Sequence, residues 1–302
     1  MCNNNTSNHN TKHSADLQSE ELKLSMSAPQ RTRLLSASGP TAGASFVAPL
    51  NTPGVHYTDR QWAEAVRWRL GIHTPGPSTT CENARLDGEL CGQPLDPEGN
   101  RAVMCGFGPL RTFRHDDLAD IYAEIFEEAG AVARREVFVP EFSAQAEAWL
   151  DVWAYGVPEL PDALLDITVR HPRASRYLPG AARVAGHAAE QAELEKEAKY
   201  PSSGGRAVCA VAHETWGRLG SSAEHLLATC AAVAARRAYR RGRTAGNCLK
   251  RWRAQLDAAL HRSIAAQLVA ARLGLPGRWK RRAAPADRAE LEARCPLWGG
   301  DE

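Results

Sequence analysis

The pattern of apolar and polar positions changes character several times along the chain. Residues 1–55 are rich in Asn, Ser, Thr and Ala without sustained periodicity, which predicts a disordered N-terminus. Between 56 and 213, helical and alternating patterns follow each other, and from 214 to 275 apolar residues recur at helical spacing. Residues 276–302 are interrupted by Pro and Gly, which predicts a loose tail.

The elements between 56 and 213 predict the fold class. A short helix after Asp59 should end at Gly71, and Asp116 or Asp117 should begin a second helix that ends at Gly130. The elements predicted after it are strands at 137–139, 149–155 and 164–169, a helix at 181–199, a strand at 207–212, and helices at 221–240 and 244–274. This order predicts an α/β core with a mixed sheet over 111–213 and a helical extension over 214–275.

Composition narrows the class of protein. The chain has 302 residues, 37 basic against 35 acidic ones and 43% hydrophobic content, which excludes a wholly disordered chain and a uniformly basic histone-like protein. Eight cysteines are too few for a disulfide scaffold, so we expect thiols or metal ligands in an intracellular protein. No apolar stretch is long enough for a transmembrane helix, and the polar start lacks the pattern of a signal peptide.

Two aspartates stand inside apolar strands. Asp151 and Asp166 each point away from the apolar face of their strand, so carboxylates on neighbouring strands would face the same side. Two such groups repel each other unless a cation lies between them, and Mg²⁺ favours this kind of oxygen ligand. The alternative is that each aspartate marks a strand end or pairs with an arginine.

The helix predicted at 181–199 carries two lysines on its alanine stripe. Lys196 and Lys199 share that stripe, so they would project along the face that packs on the sheet. A lysine beside two carboxylates is suited to orient water or to stabilise a phosphate in the transition state. The alternative is that both amines reach solvent at the end of the helix.

Several motifs in this region resemble a known group of proteins. They are Arg114-His115-Asp116, Arg135-Glu136-Val137, Leu150-Asp151-Val152-Trp153, Leu165-Asp166-Ile167-Thr168-Val169, Glu195-Lys196 with Tyr200-Pro201, and His213-Glu214-Thr215-Trp216-Gly217. The series resembles the restriction-endonuclease-like region downstream of reverse transcriptases in site-specific non-LTR retrotransposons and in related algal and protist reading frames. The resemblance runs from about Trp62 to Gly274. It implies a PD-(D/E)xK-type nuclease that nicks DNA to prime reverse transcription.

The resemblance implies roles for individual residues. The acidic pair corresponds to Asp151 and Asp166, an earlier acid to Glu136, and the helix-borne lysine to Lys196 with Lys199 in reserve. The entrance motif of the first helix corresponds to Arg114 and His115, which are expected to contact nucleic acid. Two positions depart from the pattern. Leu150 stands where the family prefers Pro, and Thr168 stands where the general nuclease motif has its lysine.

The segment before the core resembles the zinc knuckle that precedes this nuclease. Its cysteines correspond to Cys81, Cys91 and Cys105. The family's histidine corresponds to Arg101, which cannot bind zinc, so His115 or His73 would have to supply the fourth ligand of a tetrahedral site. The alternative is that the three are ordinary loop thiols. The remaining internal cysteines lie among apolar residues and are predicted to be buried thiols: Cys209, Cys230 and Cys248.

A basic run predicts contact with nucleic acid. Residues 236–253 contain no acid and eight basic residues: Arg236, Arg237, Arg240, Arg241, Arg243, Lys250, Arg251 and Arg253. Such a run can neutralise phosphates, although a solvated corner between two helices has the same composition. Residues 114–151 offset this positive charge, with ten acids against three arginines. Their acidic character is suited to binding a metal ion.

The sequence therefore predicts an Mg²⁺-dependent DNA endonuclease domain without its reverse transcriptase. DNA is the expected partner, element RNA a further one, and the nucleus the expected location if chromosomal DNA is the target. The alternatives are a catalytically inactive nucleic-acid-binding remnant of such an element and a structural α/β domain. Phosphate-loop, dinucleotide-binding and nucleophile-elbow motifs do not occur in the sequence.

Overall fold

A four-stranded mixed sheet lies at the centre of the structure, a computed structural model that describes residues 25–72, 78–85, 88–142, 148–200, 207–237 and 244–273. Its strands are β1 (Val132–Phe138), β2 (Trp149–Tyr155), β3 (Ala163–Arg170) and β4 (Val208–Glu214), in that order across the sheet. Strand β2 is antiparallel to both β1 and β3, and β4 is parallel to β3. The predicted α/β class with a mixed sheet is confirmed.

Helices cover both faces of this sheet. They are α1 (Ala28–Ser36), α2 (Asp59–Leu70), α3 (Asn100–Met104), α4 (Leu110–Glu128), α5 (Leu178–Ala181), α6 (His187–Lys199), α7 (Ser221–Arg237) and α8 (Ala245–Leu273). In the part of the chain that the structure describes, no helix has the length and apolar character needed to cross a membrane.

Alternation along β3 decides which side chains meet which helices. Leu165 and Ile167 join the main apolar core together with residues of α4 and α7, such as Phe126 and Leu227. Neighbouring residues of a strand point to opposite faces, so Asp166 lies on the other face, which α6 covers.

Helix α8 belongs to the core, whereas the sequence predicted a helical extension. Its Trp252, Leu256 and Leu260 are fully buried in the same apolar cluster as Leu118 and Tyr122 of α4. Small alanines between the larger residues of α8 let neighbouring helices approach it on several sides.

Two helix boundaries differ from the sequence predictions. Helix α4 begins at Leu110 rather than at Asp116 or Asp117, because Pro109 precedes it and the Phe113 N–H already donates to the Pro109 carbonyl. The helix predicted at 181–199 begins only at His187, as α6, and the short α5 before it ends at Ala181. Gly186 separates them with a φ of 85°, a left-handed conformation that glycine adopts without steric cost.

The segment 25–55 is structured, although the sequence predicted disorder over 1–55. A buried carboxylate of α8 fixes it, since Asp257 accepts hydrogen bonds from the Gly43 N–H at 2.9 Å and the Ser45 N–H at 3.0 Å. Burial raises the pKa of Asp257, but His261 and these donors outweigh that effect and lower it. This partner lies more than 200 residues further along the chain, so local composition does not reveal it. Residues 1–24 and the predicted tail lie outside the described residues.

We expect Asp257→Asn to destabilise the protein by roughly 2–4 kcal/mol, because it removes a buried charge to which several donors point. Urea denaturation followed by circular dichroism measures this change. Asp162→Asn, at an exposed loop position, is the matched control and should leave the free energy of unfolding within about 0.5 kcal/mol of wild type. Equal stabilities of the two variants would contradict the anchoring role of Asp257.

Candidate active site

Asp151 and Asp166 lie opposite each other where the β2–β3 ladder ends. The antiparallel register pairs Val152 with Leu165, and one further step brings Asp151 opposite Asp166. Opposed residues of an antiparallel pair project to the same face. Beyond this point the Ile167 N–H donates to Asp151 Oδ2 at 2.5 Å, so a carboxylate takes the place of a ladder acceptor. The two acids are therefore in register, with Asp166 on the side of the sheet that α6 covers and Asp151 turned into the end of the ladder, where His115 of α4 reaches it.

Lys196 of α6 contacts the second acid. Its Nζ lies 2.7 Å from both Oδ1 and Oδ2 of Asp166, which is 6% exposed. Lys199 is one turn further along the helix, and its Nζ donates to the Tyr200 hydroxyl at 2.6 Å. Of the two lysines that the sequence singled out, Lys196 is the one that meets the acidic pair.

Small residues and buried acids hold α6 in the position that gives Lys196 this reach. Ala189 and Ala192 are fully buried against Ala212 of β4, so the helix lies close to the sheet. Glu214, at the end of β4, accepts hydrogen bonds from the Ala188 and Ala189 N–H groups at the start of α6. Burial raises the pKa of Glu214.

A second buried acid, Glu193, fixes the middle of α6. Its carboxylate accepts from the N–H groups of Ser222 at 3.1 Å and Ala212 at 3.4 Å, which joins α6 to α7 and β4. Burial raises the pKa of Glu193, although these hydrogen bonds oppose the effect. Sequence analysis assigned neither acid a role: Glu193 stands at no spacing that marks it, and Glu214 appears only within one of the motifs that carry the resemblance.

His115 of α4 contacts the first acid. Its Nε2 lies 3.2 Å from Asp151 Oδ2 and its Nδ1 lies 3.3 Å from Asp116 Oδ1. Burial lowers the pKa of His115, but the two carboxylates outweigh burial and raise it to about 9. At neutral pH the ring is thus an imidazolium that donates to both acids.

Glu136 occupies the corresponding position on β1. The ladder pairs Arg135 with Val152 and Val137 with Leu150, so Glu136 stands in register with Asp151. Glu136 is exposed, and among the described residues it is the non-glycine with a positive φ, 53°. The backbone positions 136, 151 and 166 thus form one row across three strands, with local strain at its outer end.

Cys81, Cys91 and Cys105 form a buried cluster that is able to bind a metal ion. Their sulfur atoms all lie within 4.8 Å of one another, and those of Cys81 and Cys105 are 3.7 Å apart. The hydrogen bond from Cys81 lowers the pKa of Cys105 to about 5 and raises that of Cys81. Arg101 stands against the cluster, with Nη2 3.1 Å from Cys91 Sγ.

The fourth zinc ligand suggested by the sequence is not found in this cluster. Both ring nitrogens of His115 face carboxylates, so assigning that residue to zinc was wrong for this structure. His73 lies outside the described residues. Of the remaining internal cysteines, Cys230 and Cys248 are buried thiols as predicted, and Cys209 is a half-buried one.

The basic run is divided by the fold. Arg251 makes a two-point ion pair with Glu128, and Arg253 contacts Glu224 at 2.7 Å, so both neutralise acids of the protein itself. Trp252 between them is fully buried, which removes it as a stacking surface. The remaining basic positions on described residues are exposed: Arg236, Arg237 and Lys250. Outside the described residues lie Arg240, Arg241 and Arg243.

Comparisons with protein-family models, with curated proteins and with solved structures find no match to this chain. The geometry of the acidic pair and its neighbours is therefore the basis for assigning a function.

We expect stability to depend on pH through His115. Its pKa is raised from 6.5 to about 9, so the stabilisation from its ion pairs is complete below pH 6.5 and is lost as the pH rises through about 9. Across that window, wild type should lose roughly 1 kcal/mol more than His115→Gln, allowing for the partial exposure of the ring. Urea denaturation in EDTA measures the difference. Parallel pH profiles of the two proteins would contradict the assignment.

Proposed function

We propose that this protein is a metal-dependent DNA endonuclease with a restriction-endonuclease-like core. Asp151 and Asp166 hold Mg²⁺, and Lys196 acts at the scissile phosphate. The observation that carries the proposal is the strand register that brings Asp151 opposite Asp166, with Lys196 Nζ 2.7 Å from both oxygens of Asp166. Lys196 takes the role of the lysine that the general nuclease motif has at position 168.

The residues of this site suit a divalent cation. Mg²⁺ takes oxygen ligands and usually binds one or two protein carboxylates together with phosphate and water. The hydrogen bond and the ion pair given above for Asp151 both use Oδ2, which leaves Oδ1 for a ligand. When bound, the metal supplies an activated water and offsets charge on the phosphate. Glu136 stands in the same row as a further acid.

The protein's own residues account for orientation and charge. Lys196 is a cation fixed on the sheet face of Asp166, where it can stabilise negative charge that develops on a phosphate. Protonated His115 holds the Asp151 carboxylate between α4 and β3. Two acids and two cations thus balance one another in the structure, so neither carboxylate is left as an unpaired charge.

One observation favours a second candidate, a nucleic-acid-binding protein that does not cleave. Lys196 and His115 already satisfy the acids without a metal, and Arg101 stands where the knuckle histidine is expected. Such a protein would bind DNA, or the RNA of an element, with strong salt dependence. Binding without cleavage in Mg²⁺ or Mn²⁺ would select this candidate.

The nuclease proposal predicts nicking of supercoiled plasmid by purified protein in Mg²⁺. Asp166→Asn and Lys196→Met should each lower the rate at least about 100-fold, because each removes a charge from the reacting centre. Lys199→Met should retain most of the activity, since Lys199 contacts Tyr200 instead. Gel electrophoresis of the nicked form against time measures the rates.

Asp162→Asn, at an exposed loop position, controls for loss of a carboxylate outside the site. Equal residual nicking by wild type and Asp166→Asn would show that the activity comes from elsewhere. Loss of activity in Lys199→Met but not in Lys196→Met would show that Lys199, and not Lys196, acts at the phosphate.

For the cysteine cluster we propose weak zinc binding that Arg101 opposes. A guanidinium 3.1 Å from Cys91 Sγ repels a cation at the three sulfurs and competes with it for the Cys91 sulfur. Arg101→Gln should therefore raise zinc affinity several-fold, as measured by competition with a chromophoric chelator. Arg85→Gln, which changes an exposed arginine of the same segment, is the control. Unchanged or lower affinity in Arg101→Gln would contradict this account.

A further inference from the structure

A cleft of about 380 Å³ opens beside the row formed by Glu136, Asp151 and Asp166. Its lining includes Arg111, Thr112, Arg114, His115, Thr168 and Arg170, and contains no acidic residue. His115 contacts Asp151, and Thr168 is two residues beyond Asp166 on the same strand face. The cleft is therefore next to the proposed active site but is formed by a different set of side chains.

The strongest signal in the cleft is a buried arginine without a counter-ion. Arg114 is 4% exposed, and the partner of its guanidinium is a neutral one, Gln267, whose Oε1 accepts from Nη1 at 2.8 Å. Its Nε has no hydrogen-bond partner within the part of the chain that the structure describes. Burial lowers the pKa of Arg114 to about 9, and the nearby Arg111 adds to the effect. Buried charges normally have an opposite charge beside them, so the surroundings of Arg114 favour an anionic ligand.

Two further arginines reinforce this signal. Arg170, at the end of β3, is half-buried, and its Nε also has no partner among the described residues. Arg111 is exposed in the first turn of α4. Within the described ranges, neither forms an ion pair with an acid of the protein, in contrast to Arg251 and Arg253.

The start of α4 contributes to the same cleft. This 19-residue helix begins at Leu110 after Pro109, with no side-chain cap and no acid in its first turn. The first N–H groups of a helix lack acceptors within the helix, and its N-terminus carries partial positive charge. Arg111 and Thr112 belong to that turn and line the cleft. The helix N-terminus and the arginines favour an anionic ligand, and the volume of the cleft suits a small one.

We propose that this cleft binds a phosphate group of a nucleic-acid strand, adjacent to the phosphate that is cleaved. Arg111 and Arg170 contact its oxygens. The buried Arg114 adds positive charge to the wall of the cleft, and the N–H groups at the start of α4 complete the site. The position of this phosphate relative to the cleaved one rests on the proposed function. The anion site itself does not require cleavage.

The first test measures phosphate alone. In EDTA, wild type should show a higher melting temperature in phosphate than in chloride at equal ionic strength. The double variant Arg111→Gln/Arg170→Gln should lose that shift. Arg60→Gln, which changes an exposed arginine of α2, is the matched control and should keep it. Equal shifts in wild type and the double variant would overturn the anion site.

The second test measures binding of a fluorescent 12-nucleotide single strand in EDTA. The double variant should bind at least about tenfold more weakly at low salt, and its log K against log salt slope should be smaller by about 0.7 for the one phosphate lost. Wild type and Arg60→Gln should agree. If the double variant did not fold in chloride, the single variant Arg111→Gln would replace it in both tests, because Arg111 is exposed.

The results separate the possible sources of phosphate. A phosphate shift with unchanged oligonucleotide affinity would assign the cleft to a small phosphorylated molecule and overturn its assignment to a strand. Loss of both in the double variant supports the proposal, even if wild type fails to nick plasmid. In that case the endonuclease proposal fails and the phosphate site stands.

Discussion

The hydrogen bonds and the ion pair that satisfy the buried carboxylates determine how α6 and its neighbours pack on the sheet. Asp166 is almost fully buried and is held by Lys196. Glu193 of α6 accepts from a backbone N–H of β4, and Glu214 of β4 accepts from backbone N–H groups of α6. A buried acid without such partners costs several kcal/mol, so α6 cannot shift along the sheet without exposing or orphaning one of them. The position of Lys196 on the acidic pair follows from this constraint.

The charges near the site are arranged in two adjoining regions. One is the row of acids on β2 and β3, and the other is the cleft where Arg114 and Arg170 have no acidic partner among the described residues. A phosphodiester bound by a metal needs both, because the cation takes the acids and the neighbouring phosphates take the arginines. The net charge of +2 conceals this division. By contrast, Arg251 and Arg253 are neutralised inside the protein.

Sequence patterns were sufficient where the interaction is local. Strict alternation located β2 at Trp149–Tyr155. The β2–β3 register brings Asp151 opposite Asp166, as the two strand patterns suggested. The helical stripe indicated Lys196 and Lys199, but only the path of α6 distinguishes them. Contacts between distant parts of the chain were not predictable. Asp257 orders a polar N-terminal segment, and His115 faces Asp151 rather than the cysteines.

The central claim is that Asp151 and Asp166 together hold a divalent cation while Lys196 stays beside them. The most direct measurement is a crystal structure with Mn²⁺ as a substitute for Mg²⁺, using anomalous scattering to locate the ion. The account predicts a peak within coordination distance of oxygens from both aspartates, about 2.1 Å for Mg²⁺ itself. Crystals saturated with Mn²⁺ that show no peak there, with Lys196 still on both oxygens of Asp166, would contradict it.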